Sequence, residues 1–142
     1  MRNYCALLVL LALPLAAEKK TIVPPEFAGG TANFSPGILV DGTLYVSGQI
    51  GQDIKTKQVH ADFETEVKTL LSNIGIVLKA AGMTYKDVVS VQVYLTDMDL
   101  FPRINAVYTT FFPDPRPSRT TVGVTKLAAA AAHIEITVTA KK

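Results

Sequence analysis

The sequence predicts one α+β domain in which a single sheet carries two helices on one face. Three patterns predict it: a hairpin turn signal between two apolar runs, two stretches of helical periodicity, and alternating apolar and polar residues in three later segments. In chain order the elements read β-β-α-β-α-β-β. With 142 residues, 49% of them apolar and 18% charged, the chain has the size and composition of one domain with a proper core.

A hairpin is predicted to open the sheet. The runs at 37–41 and 43–50 flank Asp41-Gly42, a dipeptide that strongly favours a two-residue hairpin turn. Residues 18–36 are rich in proline, glycine and threonine, which predicts an extended or looped lead-in before the first strand.

The clearest helix covers residues 62–81, where apolar side chains recur on one face at 3.6-residue periodicity. Asp62 is placed to cap its N-terminus, and Gly82 is placed to end it. Glu64 and Glu66 are predicted to form a solvated helix start, because residues two apart on a helix do not face each other.

In the second half of the domain, residues 87–96 are predicted to form a strand, and Asp99 is predicted to cap the helix that follows. Residues 113–119 are predicted to form a loop, and the two closing strands are predicted at 120–125 and 134–140. If both helices cover the same face of the sheet, the opposite face must meet water or another subunit. Because no disulfide is available to support the fold, we expect a homo-oligomer whose sheets pack against one another.

Charge and cysteine content exclude several classes of protein. The net charge of +2, from 14 Lys and Arg against 12 Asp and Glu, does not suggest the clustered basic face of a nucleic-acid binder, so no nucleic-acid partner is expected. The single cysteine can form neither an internal disulfide nor a cysteine-based zinc cluster, and no metal is expected.

Residues 1–17 have the pattern of a secretory signal peptide: a short basic head, a 12-residue apolar stretch and small residues at its end. Cleavage after Ala17 would leave 18–142 as one domain without a membrane span. The apolar stretch is shorter than the about 20 residues that a membrane helix needs. The protein is therefore predicted to be exported, either to a periplasm or out of the cell.

Generic catalytic motifs are absent, and the candidate residues stand out by position alone. Arg119 follows a proline-rich loop and opens a strand, so it either receives a carboxylate or pairs with an acid that fixes the loop. Glu135 lies in an apolar strand and faces either water or an interface. Asn105 is expected to be exposed on a helix, and His60 and His133 are interpreted as surface histidines.

Four segments occur in a distinctive order: VDGTLYVSGQIG at 40–51, AAGMTYKDVVSVQVYLTDMDLFPRINAVYTTFF at 80–112, PSRTTVGVTKL at 117–127 and HIEITVTA at 133–140. Together they resemble the Rid family, the reactive intermediate deaminases of the RidA/YjgF type. The resemblance covers roughly residues 27–141, at near-family spacing.

The resemblance implies a chorismate-mutase-like α+β fold and a homotrimer whose three sheets meet in a central barrel. It implies active sites in clefts between neighbouring subunits. The implied activity is hydrolysis of reactive 2-enamino and 2-imino acids, such as 2-aminoacrylate or 2-iminobutyrate, to 2-keto acids and ammonia. No metal or organic cofactor is implied.

The resemblance also implies roles for individual residues. Arg119 matches the arginine that holds the substrate carboxylate, and Glu135 matches the glutamate that orients or activates water. Asn105 matches a helix asparagine near the site. Ser47 and Gly48 match the strand-end pair that lines the cleft.

Two expected substrate contacts depart from the family pattern. Phe34 stands where the archetype has a tyrosine, and Thr121 stands where it has a cysteine. These departures motivate an alternative hypothesis, a non-catalytic trimer that binds small carboxylates or acts as a chaperone-like protein. The deaminase is the primary hypothesis because Arg119, the residue that distinguishes active deaminases, is kept.

Overall fold

The computed structural model describes residues 17–29 and 33–142, so the predicted signal peptide lies outside the described residues except for Ala17. Within these residues the strands and α-helices are β1 Lys20–Ile22, β2 Gly37–Val40, β3 Thr43–Ile50, α1 Phe63–Ala80, β4 Val88–Leu95, α2 Phe101–Phe111, β5 Ser118–Gly123 and β6 Ile134–Lys141. The α+β class is confirmed, with one more strand than the sequence patterns predict.

The strands form one mixed sheet in the order β1-β2-β3-β6-β4-β5. Neighbouring strands are antiparallel except β4 and β5, which are parallel. The predicted hairpin joins β2 to β3. Asp41 and Gly42 both have positive φ, at 48° and 69°, as a two-residue hairpin turn requires.

The core lies between one face of the sheet and the two helices. It is built from alternate residues of β3, β4 and β6 and from the apolar sides of the helices: Leu44, Val46, Val91, Val93, Ile134, Ile136, Val138, Val67, Leu70, Ile74, Ile104 and Val107. On the opposite face Tyr45 and Val122 are exposed. The packing of this open face in a trimer stays a prediction.

Two boundary predictions on the sheet are wrong. The lead-in at 18–36 contains β1, whose Lys20–Ile22 segment pairs with Gly37–Leu39. The last strand before the alanine-rich turn begins at Ser118 and not after Arg119, because residues 118–123 pair with β4 over their whole length. In both places backbone pairing with a distant strand overrides a local composition typical of loops.

Of the two predicted N-terminal helix caps, one is confirmed and one is wrong. Asp62 accepts a hydrogen bond from the backbone N–H of Thr65 at 2.9 Å, as predicted. Asp99 does not cap the second helix. Instead Asp97 accepts from the N–H of Asp99 and starts a short 3₁₀ turn that leads into α2 at Phe101.

Candidate functional site

Arg119 lies on β5, the edge strand, and its half-buried side chain packs against α2. Its Nη1 donates a hydrogen bond to Asn105 Oδ1 at 3.0 Å. The guanidinium carbon lies 4.7 Å from the centre of the Tyr108 ring and 5.5 Å from that of Phe101. These aromatic rings orient the guanidinium by cation–π contact without neutralising its charge.

No carboxylate of residues 17–29 or 33–142 lies within 4.0 Å of the Arg119 guanidinium. The acids near other arginines are used elsewhere, since Arg103 pairs with Glu64 and Arg116 pairs with Asp114. Arg119 therefore does not fix its loop by pairing with an acid, which was the alternative interpretation of this residue. A guanidinium has five N–H donors in a fork that matches a carboxylate.

Asn105 belongs to this cluster, so the expectation of an exposed helical amide is wrong. It lies on α2, and its side-chain carbonyl oxygen accepts the hydrogen bond from Arg119. Its position in sequence, between Ile104 and Ala106, gave no sign of this contact. The family resemblance did indicate that Asn105 belongs to the site, because it matches a helix asparagine near the site.

Tyr108 is a residue of the site that the sequence patterns did not indicate, since by periodicity it counts only as part of an apolar helix face. It is 3% exposed, and its hydroxyl has no hydrogen-bond partner in the part of the chain that the structure describes. Burial raises the pKa of the Tyr108 phenol, and the nearby positive charge of Arg119 acts in the opposite direction. The Arg119 cluster thus pairs an available cation with a neutral phenol.

Glu135 lies on β6 and lines a cavity of about 310 Å³, together with Gly48 and Phe34. The irregular register of β3 between Val46 and Gln49 is a β-bulge that places Gly48 against the Glu135 side chain. A Cβ on Gly48 would overlap Glu135 Oε1, so this position requires glycine for the carboxylate to keep its place. The bulge and the glycine together aim the carboxyl into the cavity.

Ser47 supports the cavity wall and does not present a free hydroxyl. Its Oγ donates to the carbonyl of Ser35 at 2.7 Å, and its backbone N–H donates to the carbonyl of Pro36 at 3.0 Å. Both bonds fasten the segment that carries Phe34, whose side chain is 55% exposed. Ser47 therefore positions the mouth of the cavity.

Glu135 is partly buried, and its carboxylate accepts no hydrogen bond from the described residues. Removal from water disfavours the charged form, so burial raises the pKa of the Glu135 carboxyl above its ordinary value of 4.5. A half-buried carboxylate with unused acceptor atoms is suited to take a proton from a bound water.

The structure brings the candidate residues together in two groups and not in one. Phe34, Gly48 and Glu135 line the cavity, whereas Arg119 contacts Asn105 on the other side of the sheet. Thr121 lies two residues after Arg119 on β5 and is half-buried, but it does not line the cavity. Within one chain the Arg119 group and the Glu135 group are therefore separate.

The interpretation of Glu66 as a solvated residue is wrong, whereas His133 is exposed as predicted. Glu66 is fully buried, and its carboxylate accepts from the backbone N–H and from Nδ1 of His133, both at 2.8 Å. Sixty-seven positions separate the two residues, so local periodicity gave no sign of the pair. The pair fastens the alanine-rich turn that precedes β6. Glu64 is half-buried and pairs with Arg103.

Within the ranges 17–29 and 33–142 there is no cluster of three or more His, Cys, Asp or Glu side chains arranged to hold a metal ion. None of the helices there is long and apolar enough to cross a bilayer.

The family model described as "Endoribonuclease L-PSP" matches residues 27–142. The chain belongs to this family. A 2-iminobutanoate/2-iminopropanoate deaminase from Rattus norvegicus is 37% identical over 110 residues, which are 77% of this chain and 80% of the relative.

Two solved structures share the fold. The Rid-family protein YyfA from Yersinia pestis is 31% identical, with a TM-score of 0.83 over 88% of this chain and 100% of that one. The structure of E. coli TdcF with bound serine is 29% identical, with a TM-score of 0.78 over 87% of this chain and 99% of that one. The resemblance to the Rid family is confirmed.

Proposed function

We propose that this protein is a hydrolytic deaminase of 2-imino acids and their 2-enamino tautomers. Water adds to the imine carbon, a proton moves to the nitrogen, and the C–N bond then breaks, so the products are a 2-keto acid and ammonia. An imine carbon is already electrophilic. The protein therefore has to hold the acid, place the water and move a proton.

The observation that carries the proposal is the unpaired guanidinium of Arg119. It is stacked on Tyr108 and hydrogen-bonded to Asn105, yet no acid in the described residues neutralises it. Such a group binds a planar carboxylate through two parallel N–H bonds. Two relatives support this choice of ligand. E. coli TdcF was solved with bound serine, which carries the same carboxylate, and the rat relative is named as a deaminase of 2-imino acids.

Glu135 is proposed to accept the proton from the attacking water and to return it to the departing nitrogen. Its pKa is raised by burial, which makes its carboxylate a stronger base than an exposed one. Because Arg119 and Glu135 do not meet within one chain, we propose that the site forms where two copies associate in a homotrimer. One copy supplies Arg119 and Asn105, and its neighbour supplies Phe34, Gly48 and Glu135.

The experiment combines two variants, Arg119→Ala and Glu135→Gln, with in situ generated 2-iminobutyrate as substrate. Each variant alone is expected to lose at least about 100-fold in kcat/KM. Arg116→Ala, whose guanidinium is already paired with surface Asp114, is the matched control and keeps wild-type activity. Co-expression of the two variants with different tags produces mixed trimers, and those purified through both tags recover about a third of wild-type activity because both intact halves then meet at one of the three interfaces.

Mixed trimers as inactive as the single variants would contradict the shared site. A wild-type protein that releases no keto acid faster than buffer would contradict the deaminase. In that case, binding of 2-ketobutyrate by wild type but not by Arg119→Ala would favour the non-catalytic carboxylate binder.

We also propose that the chain is exported and loses residues 1–17. Every described strand and helix begins after Ala17, so cleavage leaves the domain whole. Mass spectrometry of the protein from its natural host is expected to give a chain that begins at Glu18, and recovery of the uncleaved chain from the cytoplasm would contradict this.

A further inference from the structure

The cavity beside Glu135 is larger and more apolar than a small imino acid needs. Its volume is about 310 Å³. Most of its wall is made of apolar side chains, among them Phe27, Phe34, Pro36, Ile54, Ala128 and Ala129. Protein cavities of about 300 Å³ and above accommodate whole drug-sized ligands.

The amide side chains in the wall are already occupied with the protein's own backbone, and the charged side chains in the wall are Lys57 and Glu135. Asn73 donates to the carbonyls of Ile50 and Gln52, and Gln52 itself donates to the carbonyl of Lys57. Gln49 donates to the carbonyl of Ser47. These amides therefore fix the shape of the wall and leave Glu135 as the acidic group that faces the cavity.

Phe34 extends the apolar wall to the surface. It lines the cavity and, within residues 17–29 and 33–142, is one of the few large apolar residues that are more than half exposed. Its ring carries no hydroxyl, so it offers apolar contact at the mouth. A ligand that enters here meets an aromatic rim first and an aliphatic wall behind it.

From this geometry we propose that the substrates are 2-imino acids with bulky apolar side chains, branched or aromatic, in preference to those with a methyl or ethyl group. This inference rests on the proposed function, which places the carboxylate on Arg119 and the imine carbon beside Glu135. The remaining substituent then lies in the apolar cavity. A methyl group leaves most of this space empty, whereas a benzyl or isobutyl group buries several more carbons.

Selectivity follows from the area buried. Each additional buried methylene contributes about 0.8 kcal/mol, close to a fourfold gain in binding. We therefore expect kcat/KM to rise at least about 10-fold from the imine of alanine to the imines of leucine and phenylalanine. An amino-acid oxidase can generate each imine in the assay, where semicarbazide reacts with the imine that is not hydrolysed. The rate of keto-acid release in competition with semicarbazide then gives the activity.

Filling the cavity tests the cause of the selectivity. Ala129→Leu places a larger side chain in the wall and is expected to lower kcat/KM for the phenylalanine imine about 10-fold more than for the alanine imine. The matched control is Ala130→Leu, an exposed neighbour that does not line the cavity and changes neither value.

A binding experiment distinguishes a failure of this inference from a failure of the proposed function. Calorimetry with phenylpyruvate and pyruvate needs no turnover, and phenylpyruvate is expected to bind at least about 10-fold more tightly to wild type but not to Ala129→Leu. Turnover of both imines without preference, or equal binding of both keto acids, would overturn the inference and leave the deaminase standing. Selective binding without turnover would support the apolar site and remove the deaminase.

Discussion

Glu66 and Glu135 are two carboxylates close to the same strand, and their surroundings differ in burial and in hydrogen bonding. Glu66 is fully buried and accepts two hydrogen bonds from His133, the residue just before β6. Glu135, two residues further on, is only partly buried and accepts none from the described residues. A buried carboxylate whose oxygens are occupied holds the fold together, whereas one with unused oxygens is available for chemistry.

Each of these glutamates lies against a glycine at the end of β3. Gly48 leaves room for the Glu135 carboxylate, whereas Gly51 leaves room for the side chain and the backbone carbonyl of Glu66. The two glycines are three residues apart. The two glutamates form one matched pair and the two glycines form another. Within each pair, the same substitution at the two positions is expected to have different consequences.

The largest effect on stability is expected from Glu66→Ala. It removes both acceptors of His133 and empties a fully buried site, so the free energy of unfolding should fall by about 3 kcal/mol. The free energy of unfolding is measured by urea denaturation. Glu66→Gln keeps an acceptor for the His133 N–H and should lose about 1 kcal/mol. Glu135→Gln should leave stability nearly unchanged, and equal losses for both sites would contradict the distinction.

The glycine pair is expected to give the next largest effect. Gly51→Ala forces a Cβ against the backbone of Glu66, which cannot move alone, so stability should fall by about 2 kcal/mol. Gly48→Ala meets only the mobile end of the Glu135 side chain. It should therefore fold normally and lose about 10-fold in kcat as the carboxylate is displaced. Thermal unfolding and imine hydrolysis, measured on both variants, check this, and the reverse assignment would contradict it.

The smallest effect is a pH dependence. Burial raises the pKa of Glu135 in the folded chain, so the folded chain binds this proton more tightly than the unfolded chain. Stability from this group is then fully present below its unfolded pKa and is lost as pH rises through the raised value. Between about pH 4 and pH 7 the Tm of wild type should fall by about 2 °C or less relative to that of Glu135→Gln.

The comparison with Glu135→Gln isolates this one group. Asp53, Asp62 and Glu64 have lowered pKa values and make stability rise with pH, but they do so equally in both proteins. A Tm difference that stays constant with pH, or that changes in the opposite direction, would contradict the raised pKa of Glu135.

Features whose partners are close in sequence were predictable. The Asp41-Gly42 turn and the Asp62 cap depend on residues within a few positions, and the structure confirms both. The starts of β1 and β5 were not predictable, because each depends on pairing with a strand that lies far along the chain. The family motifs identified Arg119 and Asn105, and the hydrogen bond between them required the folded chain.

By itself, the sequence determined the α+β class and the two helices, and it indicated every candidate site residue except Tyr108. Periodicity, turn dipeptides and family motifs can be read from residues that are close together in the chain. Only the tertiary structure decided that Glu66 is a buried partner of His133, and that Arg119 and Glu135 lie in separate groups. The physical reason is that burial and hydrogen bonding depend on which distant segments the sheet brings together, and that information is not local.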